Sequence, residues 1–305
     1  MKKLILSVLT ALILMNANAQ INMADSTVQV IGYWSINDTQ SFDVTHEKYK
    51  IKEGDTTARE FIQYEIDITI KDSTANSYTI EWFYKNFQME TDNALVQKLT
   101  KIAEDLPVLI KTDEFGAVQE VVKWEEVRDY VQKAAKILKK ELKKVPNSEQ
   151  IIAQVMGTYL SKEAIEANAI KDVLQFYTFH GAAYTLNEKL TGQMQMVNNY
   201  GEQPFDTDVT ISLDEIDETG GTSVIRMYQE IDSKQLTDAT YGHLKKLGTM
   251  GEQLPPRDEF PALTNKIWTA SRIHASSGWT TFTLENKEVQ AEGTTNIEER
   301  IIQIK

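Results

Sequence analysis

Two stretches of this chain alternate apolar and polar side chains with the period of a β-strand, and each is long enough to fold back on itself. From Tyr64 to Tyr84, residues Tyr64, Ile66, Ile68 and Ile70 recur at every second position. A Ser/Thr/Ala/Asn turn follows, and Tyr78, Ile80, Trp82 and Tyr84 alternate on the return. From Thr207 to Tyr228, residues Val209, Ile211 and Leu213 alternate, Gly220-Gly221 supplies the turn, and a second strand runs back through Val224. A helical pattern comes after each hairpin. Asp92 stands where it can cap a helix whose Leu95, Leu99, Ile102 and Leu106 share a face up to Pro107; Ser233 can cap another carrying Leu236, His243, Leu244 and Leu247. Asp67, Tyr84 and Leu99 correspond to Asp208, Tyr228 and Leu244, which suggests internal duplication of a strand-strand-helix unit. The alternative is that two common hairpin-helix arrangements occur side by side by chance.

The rest of the pattern fills in around these units. Strands are expected from about Thr27 to Trp34 and from Phe42 to Ile51, a hairpin from Val108 to Lys123 turning at Asp113-Glu114-Phe115-Gly116, and strands between Arg272 and Ile304. Between the halves, Trp124, Val127, Val131, Ala134, Leu138, Leu142 and Val145 form one apolar helical stripe that Pro146 ends. Further helices begin near Ser148 and Ser161. Helix stripes and strand faces each need a partner, so the order predicts an α+β fold: a large, twisted, half-barrel-like antiparallel sheet with its helices on one face. Residues 20–305 read as one such domain, or as two pseudo-repeats, about 20–146 and 172–305, joined by a helical segment.

The first nineteen residues have a different character. Lys2 and Lys3 precede an apolar run from Leu4 to Met15 that is too short to span a bilayer, and Ala17-Asn18-Ala19 has the small-x-small form of a cleavage site. They predict a signal peptide, with an exported, soluble periplasmic or extracellular protein beginning at about Gln20. The chain has no cysteine, so disulfides, thiolate metal sites and thiol lipidation are excluded. Its net charge of −13 disfavours nucleic acid and anionic membrane surfaces as partners, and no second long apolar run offers a transmembrane segment.

Candidate chemistry is sparse. The four histidines, His46, His180, His243 and His274, stand singly, none in a metal-binding spacing. The acidic run Asp214, Glu215, Asp217 and Glu218 lacks the alternation of a calcium loop and reads as a solvated hairpin tip. No nucleophile elbow or phosphate loop is present, so no catalytic residue, metal or cofactor is assigned. Aromatic residues carry the remaining signal. In the first hairpin, strict alternation puts Phe83 and Phe87 opposite to Trp82 and Tyr84, so both faces of that strand are apolar. Either it is covered on both sides or it lines a cavity for an apolar ligand, whose candidate residues are Trp82, Phe83, Tyr84, Phe87 and Trp279.

The long amphipathic strands at Tyr64 to Tyr84 and Thr207 to Tyr228, the intervening helices and the acidic exported chain together resemble secreted bacterial domains of the lipoprotein-localisation-factor type, in which a half-open barrel is plugged by helices. The resemblance is one of architecture and implies carriage of acyl chains. Three functions follow in order: a non-catalytic binding protein for an apolar ligand or an envelope-protein partner, a structural or interaction protein without a pocket, and a hydrolase built on a carboxylate pair.

Overall fold

The computed structural model describes residues 21–90, 103–143, 145, 148–198, 200, 203–247 and 254–305. The segment read as a signal peptide lies outside them, as does most of the helix expected from Asp92. In chain order the strands and helices are β1 (Ile21–Asn22), β2 (Thr27–Gln29), β3 (Thr39–Lys52), β4 (Asp55–Thr74), β5 (Ser77–Glu90), β6 (Leu106–Asp113), β7 (Val118–Val122), α1 (Trp124–Glu141), α2 (Ser148–Gly157) and α3 (Lys162–Ala164). A π-helical turn (Ile165–Ala169) leads into α4 (Lys171–Phe176), β8 (Ala183–Thr185), β9 (Lys189–Met196), β10 (Phe205–Asp217), β11 (Thr222–Ile231), α5 (Ser233–Leu247), β12 (Thr264–His274), β13 (Thr280–Ala291) and β14 (Thr294–Ile304).

Eleven of the strands form one open antiparallel sheet in the order β7-β6-β5-β4-β3-β14-β13-β12-β11-β10-β9. The β3–β14 ladder, from Phe42 opposite Ile304 to Lys52 opposite Thr294, joins strands from the two ends of the chain. β1, β2 and β8 make a small separate sheet. The α+β architecture expected from the pattern is therefore present, with both hairpins in place: β4 turns into β5, and β10 into β11.

The alternation that predicts the strands also decides which side is covered. Phe42, Val44, Tyr64, Ile66, Ile68, Ile70, Ile80, Trp82 and Tyr84 are buried on one face, here the inner face, while residues between them are more exposed. Against that face α1 lays Val127, Val131, Ala135, Leu138 and Leu142, a stripe spaced for helical geometry; Ile152, Ile165, Ile170, Val173 and Phe176 complete the core. The small sheet and residues Phe179 and Tyr184 cover β10 to β12 at one end through Leu213, Ile225 and Ile273. α5 covers the other end through Leu236 against Phe205 and Ile231.

Several expectations are corrected. Leu106 and Pro107 open a strand instead of closing a helix: Asp105 turns the chain at φ 58°, and Pro107 pairs with Phe83 beyond the end of β7, where its missing N–H has no ladder partner to satisfy. The N-terminal strand from Thr27 is short, ending at Gln29. The helix starting after Ser161 is broken by the π-helical turn, although Ser161 caps it as expected, its hydroxyl accepting from the Ala164 amide at 3.2 Å. Asp232, not Ser233, caps α5, accepting from the Gln235 amide at 2.7 Å. The order of elements is the same in the two hairpin regions, since β6 lies beside β5 as β12 lies beside β11. The residue correspondence is not kept: Asp67 lies opposite Phe83, one position before Tyr84, whereas Asp208 lies opposite Glu230, two positions after Tyr228.

Candidate functional site

Between the inner face and the helices lies a cavity of 330 Å³. β4, β5 and β6 supply Ile62, Tyr64, Tyr84, Phe87, Leu106 and Val108; the helical layer supplies Val127, Tyr159, Ile165, Ala169 and Ile170. These walls are apolar or aromatic because they come from the same stripes that build the core. At one side the character changes: His46, Lys48, Lys171, Asp172, Glu298 and Arg300 line the cavity there. A second hollow of 400 Å³ continues along β3, β4, β13 and β14 beyond it, sharing Lys48 and Glu298.

Phe87 reaches this cavity through an irregularity. On β4 only Tyr64 separates Gln63 and Glu65, but on β5 both Asn86 and Phe87 separate their partners Gln88 and Lys85, so β5 carries a bulge. Asn86 takes φ 57° to make it, a conformation that asparagine tolerates better than most residues. The extra residue cancels the alternation, and Phe87 stacks on Tyr64 with ring centroids 4.6 Å apart and planes 13° apart. The expected opposition of Phe87 to Tyr84 is thereby overturned. Tyr84 and Phe87 line the cavity; the other three candidate residues do not. Trp82 is fully buried in the core against Phe176 and Tyr177, Phe83 keeps its place on the outer face, and Trp279 sits in the β12–β13 loop, 5.4 Å from Trp34.

The charged side of the cavity is built around Arg300, which is 5 % exposed. Its Nε lies 2.9 Å from Asp172 Oδ1, close enough for an ion pair though not aligned as a hydrogen bond. Its terminal nitrogens lie 3.5 Å from Glu285 and 3.6 Å from Glu298. The Tyr64 hydroxyl donates to Asp172 Oδ2 at 2.7 Å, and Gln175 of α4 donates to the Arg300 carbonyl at 3.1 Å. Glu298 meets His46 Nε2 at 2.7 Å. These groups come from β3, β4, β13, β14 and α4, so burial of the arginine fixes the sheet and the helix layer to one another.

Burial and charge set the protonation states. Burial works to raise the Glu298 carboxyl, but the His46 hydrogen bond and the Lys48 and Lys171 charges pull it well below the usual carboxylate range. Burial pushes Glu285 up, with Arg300 opposing. Burial raises Arg300's carboxylate-rich neighbour Tyr64 far above an ordinary phenol, and Asp172 adds to the effect; Tyr84 behaves alike. Lys171 is lowered, first by burial and then by Lys287, Arg300 and Lys48 despite the opposing charge of Glu298. The two glutamates thus shift in opposite directions, yet only Glu298 lines the cavity.

One polar group in the cavity wall stands apart. The Tyr84 hydroxyl is buried with no hydrogen-bond partner among the described residues. Such a group costs about 1–3 kcal/mol when left unsatisfied. Among the described residues no cluster of His, Asp and Glu is arranged to hold a metal ion, and no helix is long and apolar enough to cross a membrane.

No protein-family profile matches the chain, and no curated protein matches it. Among solved structures it is similar to lipovitellin, studied for its lipid–protein interactions, at 10 % identity and a TM-score of 0.42, with 89 % of this chain and 25 % of that one covered. The chain thus spans about a quarter of lipovitellin's length, and a likeness at this level carries no argument about its ligand. No match supports the resemblance to lipoprotein-localisation factors; what is present is the large open antiparallel sheet.

Proposed function

We propose that this protein is an exported, non-catalytic binding protein that takes an apolar ligand between the inner face of its sheet and the helices. The observation that carries the reading is the cavity itself. A well-packed core leaves few voids larger than a water molecule, whereas this one, at 330 Å³, falls in the range of small-molecule sites and has apolar walls with a polar side. Tyr84 and Phe87 are the contacts retained from the sequence; Tyr64, Tyr159, Leu106 and Ile170 join them.

The test is titration with the uncharged fluorophore N-phenyl-1-naphthylamine. Saturable enhancement in the micromolar range is expected, and Val127→Phe, which fills the cavity from α1, should abolish it with the circular dichroism unchanged. Absence of saturable binding to the unaltered protein overturns the proposal. A second reading, an interaction protein that pairs through a sheet edge, is favoured by β9. This edge strand is exposed along almost its whole length and is uncharged from Leu190 to Met196, whereas the opposite edge is engaged by Glu166, which accepts from the Val121 amide at 2.8 Å.

A further inference from the structure

Resting on the binding reading above, we infer that the ligand is a single-chain amphiphile with a compact anionic head, a carboxylate or a phosphate, held by lysines where the cavity opens into the neighbouring hollow. The charge distribution carries the argument. The cavity and the hollow that continues from it present five permanent cations on the inner face, Lys48, Lys50, Lys171, Lys287 and Arg300, against four carboxylates, Glu60, Asp172, Glu298 and, behind Arg300, Glu285, while Arg59 at the rim turns to Glu47 on the outer face. The chain as a whole carries −13, so this excess of positive charge is local and opposes the overall balance.

The cations are not equivalent. Arg300 is taken up by Asp172, and Arg59 is paired with Glu47. Lys48 reaches Glu298 only at 3.8 Å, with a half-exposed side chain that marks where the cavity opens. Among the described residues, no ion pair involves Lys50, Lys171 or Lys287. Lys287 lies opposite Glu298 in the β13–β14 ladder, and Glu298 lies opposite Lys48 in the β14–β3 ladder, so these lysines border one short stretch of the inner face. Lys171 overhangs it from the start of α4, next to Asp172 in the cavity wall. An anion placed there relieves the mutual repulsion of these ammonium groups, which Glu298, Glu285 and Glu60 offset only in part.

Size narrows the class further. At 330 Å³ the cavity stands at the small end of small-molecule sites, which fits a single chain better than a pair. The chain occupies the apolar end beside Phe87, Leu106 and Val127, and the head group lies toward Lys48, Lys171 and Lys287.

The test uses cis-parinaric acid and its uncharged methyl ester at pH 8, read by fluorescence at low and high salt, with displacement of N-phenyl-1-naphthylamine by a lysophosphatidic acid as the phosphate arm. At least one of the two anions should bind tenfold or more tightly than the ester, with the preference shrinking in 0.5 M NaCl. The double substitution Lys171→Gln/Lys287→Gln should remove most of that preference and leave the ester's affinity unchanged. If the ester binds as well as both anions, or the double variant keeps the preference, the head-group inference fails while the apolar cavity stands. If neither the acid, the ester nor the neutral fluorophore binds, the binding reading itself fails.

Discussion

Replacing Arg300 by methionine is expected to destabilise the fold by about 3–5 kcal/mol, the cost of removing one partner from a buried ion pair. The structure places this substitution at the upper end of that range. Arg300 and Asp172 are 5 % and 8 % exposed, and the same guanidinium also faces Glu285 and Glu298 at 3.5 and 3.6 Å, so its loss leaves carboxylates facing one another with little water to screen them. The deficit should depend on pH in a defined direction. Without the arginine, the Glu285 carboxyl, which burial already raises and Arg300 opposes, rises further above its unfolded value near 4. The folded variant then binds protons more readily than its unfolded chain, so its stability relative to the parent recovers as pH falls from about 7 toward 5. The second substitution Asp172→Asn should restore part of the loss, since it removes the most closely engaged charge. Urea unfolding followed by tryptophan fluorescence at pH 7.5 and pH 5.5 reads all three effects. A loss below about 1 kcal/mol, or a deficit that is the same at both pH values, would refute the claim that Arg300 neutralises a buried carboxylate cluster.

Two other predictions concern the aromatic cluster around Trp34. His180 is buried beside Tyr177 and Trp34 with its Nε2 2.8 Å from the Gly278 carbonyl oxygen; burial lowers its pKa to about 4, with that hydrogen bond and the charge of Asp113 opposing. Because the folded value lies below the unfolded value near 6.5, the histidine's contribution is complete above that pH and lost as pH falls toward 4. The acid limb of stability there should carry about 3 kcal/mol, and His180→Gln should flatten it; equal pH profiles for the two proteins would exclude the assignment. Gly278→Ala is expected to cost at least ~2 kcal/mol by thermal or urea unfolding, because the residue adopts φ 70° and an added Cβ would stand 2.0 Å from the Ile31 carbonyl oxygen. A near-neutral result would show that the β12–β13 loop moves away without penalty.

The sheet was legible in the sequence wherever a strand is covered on one face. β4, β5, β10 and β11 alternate because the inner side needs Ile, Trp and Tyr while the outer side carries ion pairs such as Lys71–Glu81 and Lys85–Asp67. β9 carries only a weak signal, Leu190, Met194 and Met196 alternating with Thr191, Gln193 and Gln195 but interrupted by Gly192, and as an edge strand it is exposed along almost its whole length. The charged side of the cavity was illegible for another reason. His46 and Glu298 are 252 positions apart, and Arg300 meets Asp172 only because β14 closes against β3 and α4 lies over both. No spacing rule connects residues that an intervening fold brings together. The sequence held one clue to Phe87: the interval of three between Tyr84 and Phe87 breaks the period of two, and the break falls at an asparagine able to hold a left-handed turn.

Regular elements alone do not account for a cavity in the middle of this core. Elsewhere on the inner face the helical stripe and the strand alternation match, and Trp82, Phe42 and Phe176 fill the space between layers completely, each with less than 2 % exposure. Around the cavity both layers depart from regular geometry. β5 has its bulge at Asn86 and Phe87, and the helical layer has its π-helical turn at Ile165–Ala169, which contributes Ile165 and Ala169 to the wall facing Phe87's side of the sheet. A bulge adds twist and bends its strand, while a π-turn widens the helix and shifts the register of its stripe. Each change re-aims side chains that regular packing would interdigitate. Two independent irregularities bordering the same void, in layers whose other contacts are closely packed, argue that the space follows from the local geometry of both layers and not from a chance mismatch of side-chain sizes.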